Sequence, residues 1–244
     1  MLDLLMRISF FQKQRRRLVK KRIEKLMLQT DSVTEIFRQI YRTNYWGSVE
    51  SVSGKGSTLA STAAFRAEFE SLLRSMRVAT LFDAPCGDFN WMRRVKFPDG
   101  MQYIGADIVD ELIERLNRTY IGDNSKVFMA MNIITDDHPT ADLWLCRDSL
   151  FHFSFADVFK TFEHFIKSGT KYCLLTTQPH VPGNHDIKTG FHREINFLEE
   201  PFRLPEPEIV LRDSPRREAE RWLGLWRNED IAAAVRRARG PAAT

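Results

Sequence analysis

Apolar and polar residues fall in blocks along this chain, and the blocks change period as they go. Val78-Ala79-Thr80-Leu81-Phe82 is a short, nearly continuous apolar run, and similar runs lie near residues 102–107, 127–132, 141–147 and 171–177. Runs of this length without alternation mark strands covered on both faces, as in a parallel sheet. Between them, residues 89–96, 110–120 and 155–168 recur with helical spacing. The last of these is the best signed: Ser154 and Asp157 form a capping box, Val158, Phe159, Phe162, Phe165 and Ile166 make an apolar stripe, and Gly169 ends it. Upstream, Phe65, Phe69, Leu72 and Met76 share one face of a further helix. Strand alternating with helix predicts an α/β fold with a doubly wound, mostly parallel sheet.

The two ends depart from that alternation. Residues 208–212 and 221–226 are short strand candidates flanking a charged turn at 213–220, which predicts a C-terminal antiparallel hairpin. At the other end, Lys13, Arg15 to Arg17, Lys20 to Arg22 and Lys25 are interleaved with Leu18, Val19, Ile23, Leu26 and Met27, the pattern of a basic amphipathic helix, and residues 33–45 continue as helix. Trp46-Gly47 breaks the pattern and residues 48–57, rich in Ser and Gly, form a loop. Residues 1–45 are therefore expected to be a basic helical extension, and residues 46–244 one domain with a long polar loop near 178–207.

Charge sharpens this division. The chain of 244 residues has a net charge of +4, but residues 1–25 carry nine Lys/Arg against Asp3 and Glu24, a net of +7, which leaves the rest at −3. The body is mildly acidic, so the basic balance does not by itself argue for a nucleic-acid substrate. The basic helix reads as a solvated helix leaning on the domain, with peripheral contact to an anionic membrane through residues 1–27, or to nucleic acid, as the alternatives. Residues 1–11 are too short and too interrupted for a transmembrane segment and lack a secretory cleavage pattern. Cys86, Cys146 and Cys173 form no C-x-x-C pair, which points to a reduced, cytoplasmic protein. No metal is expected, because His138, His180, His185 and His192 match no compact ligand spacing.

The chemistry gathers where the first strand ends. Leu81-Phe82-Asp83-Ala84-Pro85-Cys86-Gly87-Asp88-Phe89 places an acid and a small-residue turn at the carboxyl edge of a strand, and Asp107 ends the next, Tyr103-Ile104-Gly105-Ala106. Open α/β sheets bind ligands at such edges, and a carboxylate at the second strand end grips ribose hydroxyls. These residues resemble the first and second motifs of class I S-adenosylmethionine-dependent methyltransferases. The match departs from the family pattern at Phe89, where a glycine is usual, and at Pro85. The resemblance implies a Rossmann-like methyltransferase domain with S-adenosyl-L-methionine as cofactor, held by Asp83, Cys86, Gly87, Asp88, Asp107 and Ile108. It extends weakly to about residue 177.

Further along, Asn132 and Ile133 end the third strand, where related enzymes hold adenine; an amide capping a strand end is the other reading of Asn132. Cys146-Arg147-Asp148-Ser149-Leu150-Phe151-His152 resembles the family's fourth motif, the wall between cofactor and acceptor. Arg147 is there a cofactor contact, and His152 and Asp148 are the candidate bases for an acceptor hydroxyl. His152 packing beside the cofactor or capping the next helix, and alignment with no base at all, stay open. Asp186, Arg193 and Asn196, in the polar loop, are the candidate acceptor contacts; a solvated insertion with internal turns is the other reading of that loop. Residues 46–62 loosely resemble methyltransferases of polysaccharides and small molecules. Their Gly-Lys-Gly-Ser-Thr is no phosphate loop, since Lys55 is followed by Gly56 and the spaced upstream glycine is missing. The expected activity is methyl transfer to an oxygen, less readily a nitrogen, of a small-molecule or saccharide acceptor. An RNA methyltransferase using the basic helix and a non-catalytic cofactor-binding module are the alternatives; no Asn-Pro-Pro-aromatic signature for base nitrogens is present.

Overall fold

Five of the seven strands are parallel, and their order sets the position of everything else. The computed structural model describes the backbone of residues 2–213 and 221–240, with side chains from residue 14 onward. Strands β1 (Thr80–Asp83), β2 (Gln102–Asp107), β3 (Lys126–Ala130), β4 (Leu143–Cys146), β5 (Tyr172–Thr177), β6 (Ile209–Arg212) and β7 (Trp222–Arg227) form one sheet in the order β3-β2-β1-β4-β5-β7-β6. Strands β1 to β5 pair in parallel, whereas β7 is antiparallel to both β5 and β6. The expected hairpin is present. Its turn, residues 214–220, lies outside the described residues.

Each buried strand divides its side chains between two cores, because successive residues point to opposite faces. Leu81, Leu143, Leu145 and Leu174 pack with Phe65, Phe69 and Leu72 of α3 (Ala63–Ser75) and with Leu112 and Leu116 of α4 (Asp110–Thr119). Phe82, Trp144, Cys173 and Leu175 pack on the other face with Val158, Phe162 and Phe165 of α5 (Phe155–Ser168) and with Ile231 and Ala234 of α6 (Asn228–Arg239). The Ser154 hydroxyl accepts from the Asp157 amide and Gly169 ends α5 in the left-handed region, but the expected capping box is only half formed: the Ser154 amide donates to the Thr189 hydroxyl, while the Asp157 carboxylate accepts from Thr189 and Lys160.

Two elements differ from expectation. Residues 89–96 hold only a 3-10 turn at Met92–Arg94, because Phe89 takes a positive φ of 58° and turns its ring into the core between Tyr103, Tyr120 and Phe128. Helix α6 was not anticipated: its apolar stripe is only Ile231, Ala234 and Val235, too thin to read against its many charges.

At the N-terminus, α1 (Leu2–Gln29) and α2 (Val33–Arg42) are antiparallel neighbours whose contact is a small core of Ile23 and Met27 against Ile36 and Ile40. Helix α2 is tied to the first turn of α4 by Arg38, whose Nη2 lies 3.2 Å from Asp110, and by the Arg42–Glu111 ion pair. The helical extension therefore packs directly on the sheet domain.

Candidate functional site

The sheet order reverses between β1 and β4, so their carboxyl ends diverge and leave a crevice. A cleft of about 1010 Å³, counted to its open mouth, lies there and is lined by Asp83, Cys86, Gly87, Asp107, Ile108, Asn132, Ile133, Arg147, Asp148 and His152. The structure thus brings together nearly every residue expected at the cofactor and at the proton acceptor. Asp88 is absent from the lining.

Two buried carboxylates dominate the electrostatics. Asp83 is 2% exposed and accepts a 2.6 Å bond from the Tyr103 hydroxyl; burial outweighs that bond and the nearby Arg147 charge, and pushes its carboxyl up to about 7. Asp107 accepts from the Val109 amide at 3.0 Å and the Gly87 amide at 3.1 Å, and burial pushes it up to about 6. Each carboxylate still has lone pairs to offer. A buried acid raised in this way gains most from a ligand that brings positive charge or hydrogen-bond donors.

The turn after β1 is shaped by what lies on top of it. Gly87 has φ +55°, and a β-carbon there would fall 2.2 Å from the Ser53 hydroxyl. The glycine is thus demanded by the Ser-rich loop that rests on it. Asp88 serves the same loop: its carboxylate accepts from the Val52 amide at 2.9 Å and from the Ser51 hydroxyl at 3.0 Å, while its own amide donates to Ser53. Asn90 donates to the Ser57 carbonyl and to Glu50. The residues after Gly87 thus hold residues 50–57 over the cleft, where Val52, Ser53 and Ser57 line it.

A buried ion-pair network closes the far side. The Arg147 guanidinium lies 2.9 Å from Asp213 and 3.2 Å from Asp148, donates to the Gly56 carbonyl, and sits over the rings of Phe65 and Trp91. Arg221 pairs with both Asp148 and Asp213. Two acids and two arginines thereby join the β4 end, the Ser-rich loop and the β6–β7 hairpin. Asp148 is engaged by both arginines, so its carboxylate is occupied in holding this wall together. A β-carbon at Gly56 would lie 2.9 Å from the Asp148 carboxylate, so the loop approaches this network closely.

His152 differs. Its Nδ1 is 2.8 Å from the Phe191 carbonyl, which can only accept, so the proton resides on Nδ1 and the lone pair on Nε2. Burial lowers the ring to about 4, which keeps it neutral near pH 7. Trp46 lies 5.8 Å and Phe37 6.4 Å from the ring, centroid to centroid.

The three residues expected to contact the acceptor are placed elsewhere. Asp186 accepts from the Phe155 amide and so helps cap α5. Arg193 is buried, donates to the Phe153 carbonyl and stacks on Phe155 at 4.7 Å. Asn196 donates to the Pro179 and Val181 carbonyls and accepts from Leu198. None of the three lines the cleft, because the long polar loop uses its polar groups to dock on the start of α5 and to fold on itself. The wall facing His152 comes instead from Val33, Phe37 and Tyr41, at i, i+4 and i+8 of α2, and from Trp46. Their spacing was visible in the sequence, but α2 carries a second stripe, Ile36 and Ile40, and nothing local says which stripe faces a cleft.

No protein-family model and no curated protein matches the chain. Solved structures do. The chain is similar to N-methyltransferase NodS from Bradyrhizobium japonicum WM9 in complex with S-adenosyl-l-homocysteine, at 12% identity over 78% of this chain and 98% of that one, with a TM-score of 0.54. It is also similar to the methyltransferase domain of bacterial-CtHen1-C (12% identity, 68% and 97% covered, TM-score 0.52). A third is magnesium protoporphyrin IX methyltransferase from Synechocystis PCC 6803 with bound SAH (11% identity, 77% and 92% covered, TM-score 0.51). The fold is that of the class I S-adenosylmethionine-dependent methyltransferases.

Proposed function

We propose that this protein is an S-adenosylmethionine-dependent methyltransferase that acts on a hydroxyl oxygen of a small-molecule acceptor, saccharides included. The observation that carries the reading is the pair Asp83 and Asp107: two raised, buried carboxylates at adjacent strand ends in one cleft. They suit a ligand with an ammonium and a sulfonium at one end and ribose hydroxyls at the other. That cofactor supplies an already electrophilic methyl, so the protein's part is placement, charge and exclusion of water.

Asp83 would hold the ammonium and Asp107 the two ribose hydroxyls, through the lone pairs that the amides of Gly87 and Val109 leave free. Asn132 and Ile133 would flank the adenine; the Asn132 side-chain oxygen also accepts from the Ile134 amide, so its NH2 is the part left for a ligand. His152, neutral and with Nε2 unprotonated, can take the acceptor proton as the oxygen attacks. That fits a hydroxyl better than a free amine, which needs no base. Phe37, Tyr41 and Trp46 offer flat apolar faces to the acceptor, suited to an aromatic ring or the apolar face of a sugar. Arg147 and Asp148 hold the wall in place.

Titration calorimetry with S-adenosylmethionine and with S-adenosylhomocysteine tests the cofactor half: both bind, and Asp107→Ala weakens both. Absence of heat with either ligand overturns it. For the acceptor half, a panel of hydroxylated aromatics and saccharides is scored for transfer. Methylation confined to amines, or to RNA, overturns that half alone.

A further inference from the structure

Helix α1 has two faces of opposite character, and only one of them is used. Its inner face carries Ile23 and Met27, buried against α2, and the Arg16 guanidinium donates to the Gly47 carbonyl at 2.7 Å. Leu18, Lys21, Lys25 and Leu28, spaced at three and four residues, share the opposite face, flanked by Arg15, Arg17 and Arg22. All seven are exposed, and the two leucines are 66% and 68% exposed. Among the described residues none of these five cations has an ion-pair partner; the ion pair within α1 is Lys20 with Glu24, at 3.8 Å. The outward face therefore presents five positive charges and two exposed leucines, with Glu24 at its edge and paired to Lys20.

We propose that α1 docks this face on an anionic lipid bilayer, lying along the interface with the cations at the headgroups and Leu18 and Leu28 inserted between them. The leucines decide between partners. A nucleic acid would match the charge but would leave two large apolar side chains against phosphates. An anionic bilayer surface takes both, charge at the headgroups and leucine at the acyl boundary. Upstream, α1 continues through residues 2–11, seven of which are apolar, so the sequence extends the same character. The packing of α1 on α2 has a consequence for the site. Val33, Phe37 and Tyr41 of α2 line the cleft, so a docked α1 holds one wall of the cleft beside the membrane.

The test is co-sedimentation of the full chain with vesicles of phosphatidylcholine alone and of phosphatidylcholine containing phosphatidylserine, at low and at physiological salt. The protein should pellet with the anionic vesicles, less so at higher salt, and remain in the supernatant with the neutral ones. Each basic residue near such a surface contributes about fivefold to binding, so Arg15→Glu/Arg17→Glu/Lys21→Glu should lower the partition coefficient by roughly 100-fold or more. Leu18→Ser/Leu28→Ser, with the charge intact, should lower it by about tenfold. All these positions are exposed, and both variants should melt at the temperature of the parent. Equal pelleting with neutral vesicles, no effect of the leucine pair, or binding to a single-stranded RNA without any pelleting overturns the proposal. None of these readouts depends on methyl transfer, so failure here leaves the proposed activity standing, and the reverse.

Discussion

The two sides of the cleft are built in different ways. On one side, Asp83 and Asp107 sit at the ends of adjacent parallel strands, and their positions follow from strand register: Asp83 pairs with Gly105 two residues before Asp107. On the other, Phe37, Tyr41, Trp46 and the Ser-rich loop come from segments that reach the site only by docking, through Asp88, Asn90, Arg147 and the α2–α4 ion pairs. A ligand side made of strand ends is rigid and common to many sequences. A wall made of docked segments is free to vary, and under the proposed activity it is where acceptor choice would reside.

Breaking the docked side should cost the most stability. Arg147→Ala leaves Asp213 buried with only Arg221 beside it, and the expected loss is about 3–5 kcal/mol in urea unfolding; a loss below 1 kcal/mol would show that the network does not hold the wall. On the strand-end side, Asp107→Ala should remove two charge-assisted bonds to the ligand. It should raise the dissociation constant for S-adenosylmethionine roughly 100-fold by calorimetry, and also lower the melting temperature, because the Val109 and Gly87 amides lose their acceptor. Gly87→Ala joins the two sides. The positive φ and the contact with Ser53 should together destabilise by about 2 kcal/mol, and Ser53→Gly in the same chain should recover part of that. Additivity of the two changes in thermal unfolding would dissociate the turn from the loop.

The last expected effect is the dependence on pH, which should be sizeable for ligand binding and small for the ligand-free fold. Asp83 near 7 must be ionised to hold the ammonium, so affinity should rise about 30-fold between pH 5.5 and 8, with proton release on binding near pH 6.5. Calorimetry in two buffers of different ionisation enthalpy reads that release, and Asp83→Asn should abolish it. The ligand-free fold behaves differently. The native state holds the protons of Asp83 and Asp107 more tightly than the unfolded chain, so their contribution to stability falls as pH rises from about 4 to 7. His138 and His152, both lowered to about 4 by burial, contribute stability that is present above about 6.5 and lost as pH falls toward 4. The two pairs oppose each other over that window and should leave stability nearly flat with pH.

The alternation of buried strand runs with helices carried the sheet, the hairpin and the two carboxylates, because parallel strands covered on both faces leave a local signature and their carboxyl edges are where ligands bind. Even the departure at Phe89 follows a local need, a positive φ met without glycine and repaid by a ring in the core. Asp186, Arg193 and Asn196 show the limit. Polar residues in a long loop look alike whether they face a ligand or neighbouring backbone, and here they bond to the backbone at the start of α5 and within the loop. The same holds for α2, whose sequence carries two apolar stripes. Which of them lines the cleft was decided by α1 covering Ile36 and Ile40 and by the ion pairs to α4, contacts between residues far apart in the chain that no local pattern encodes.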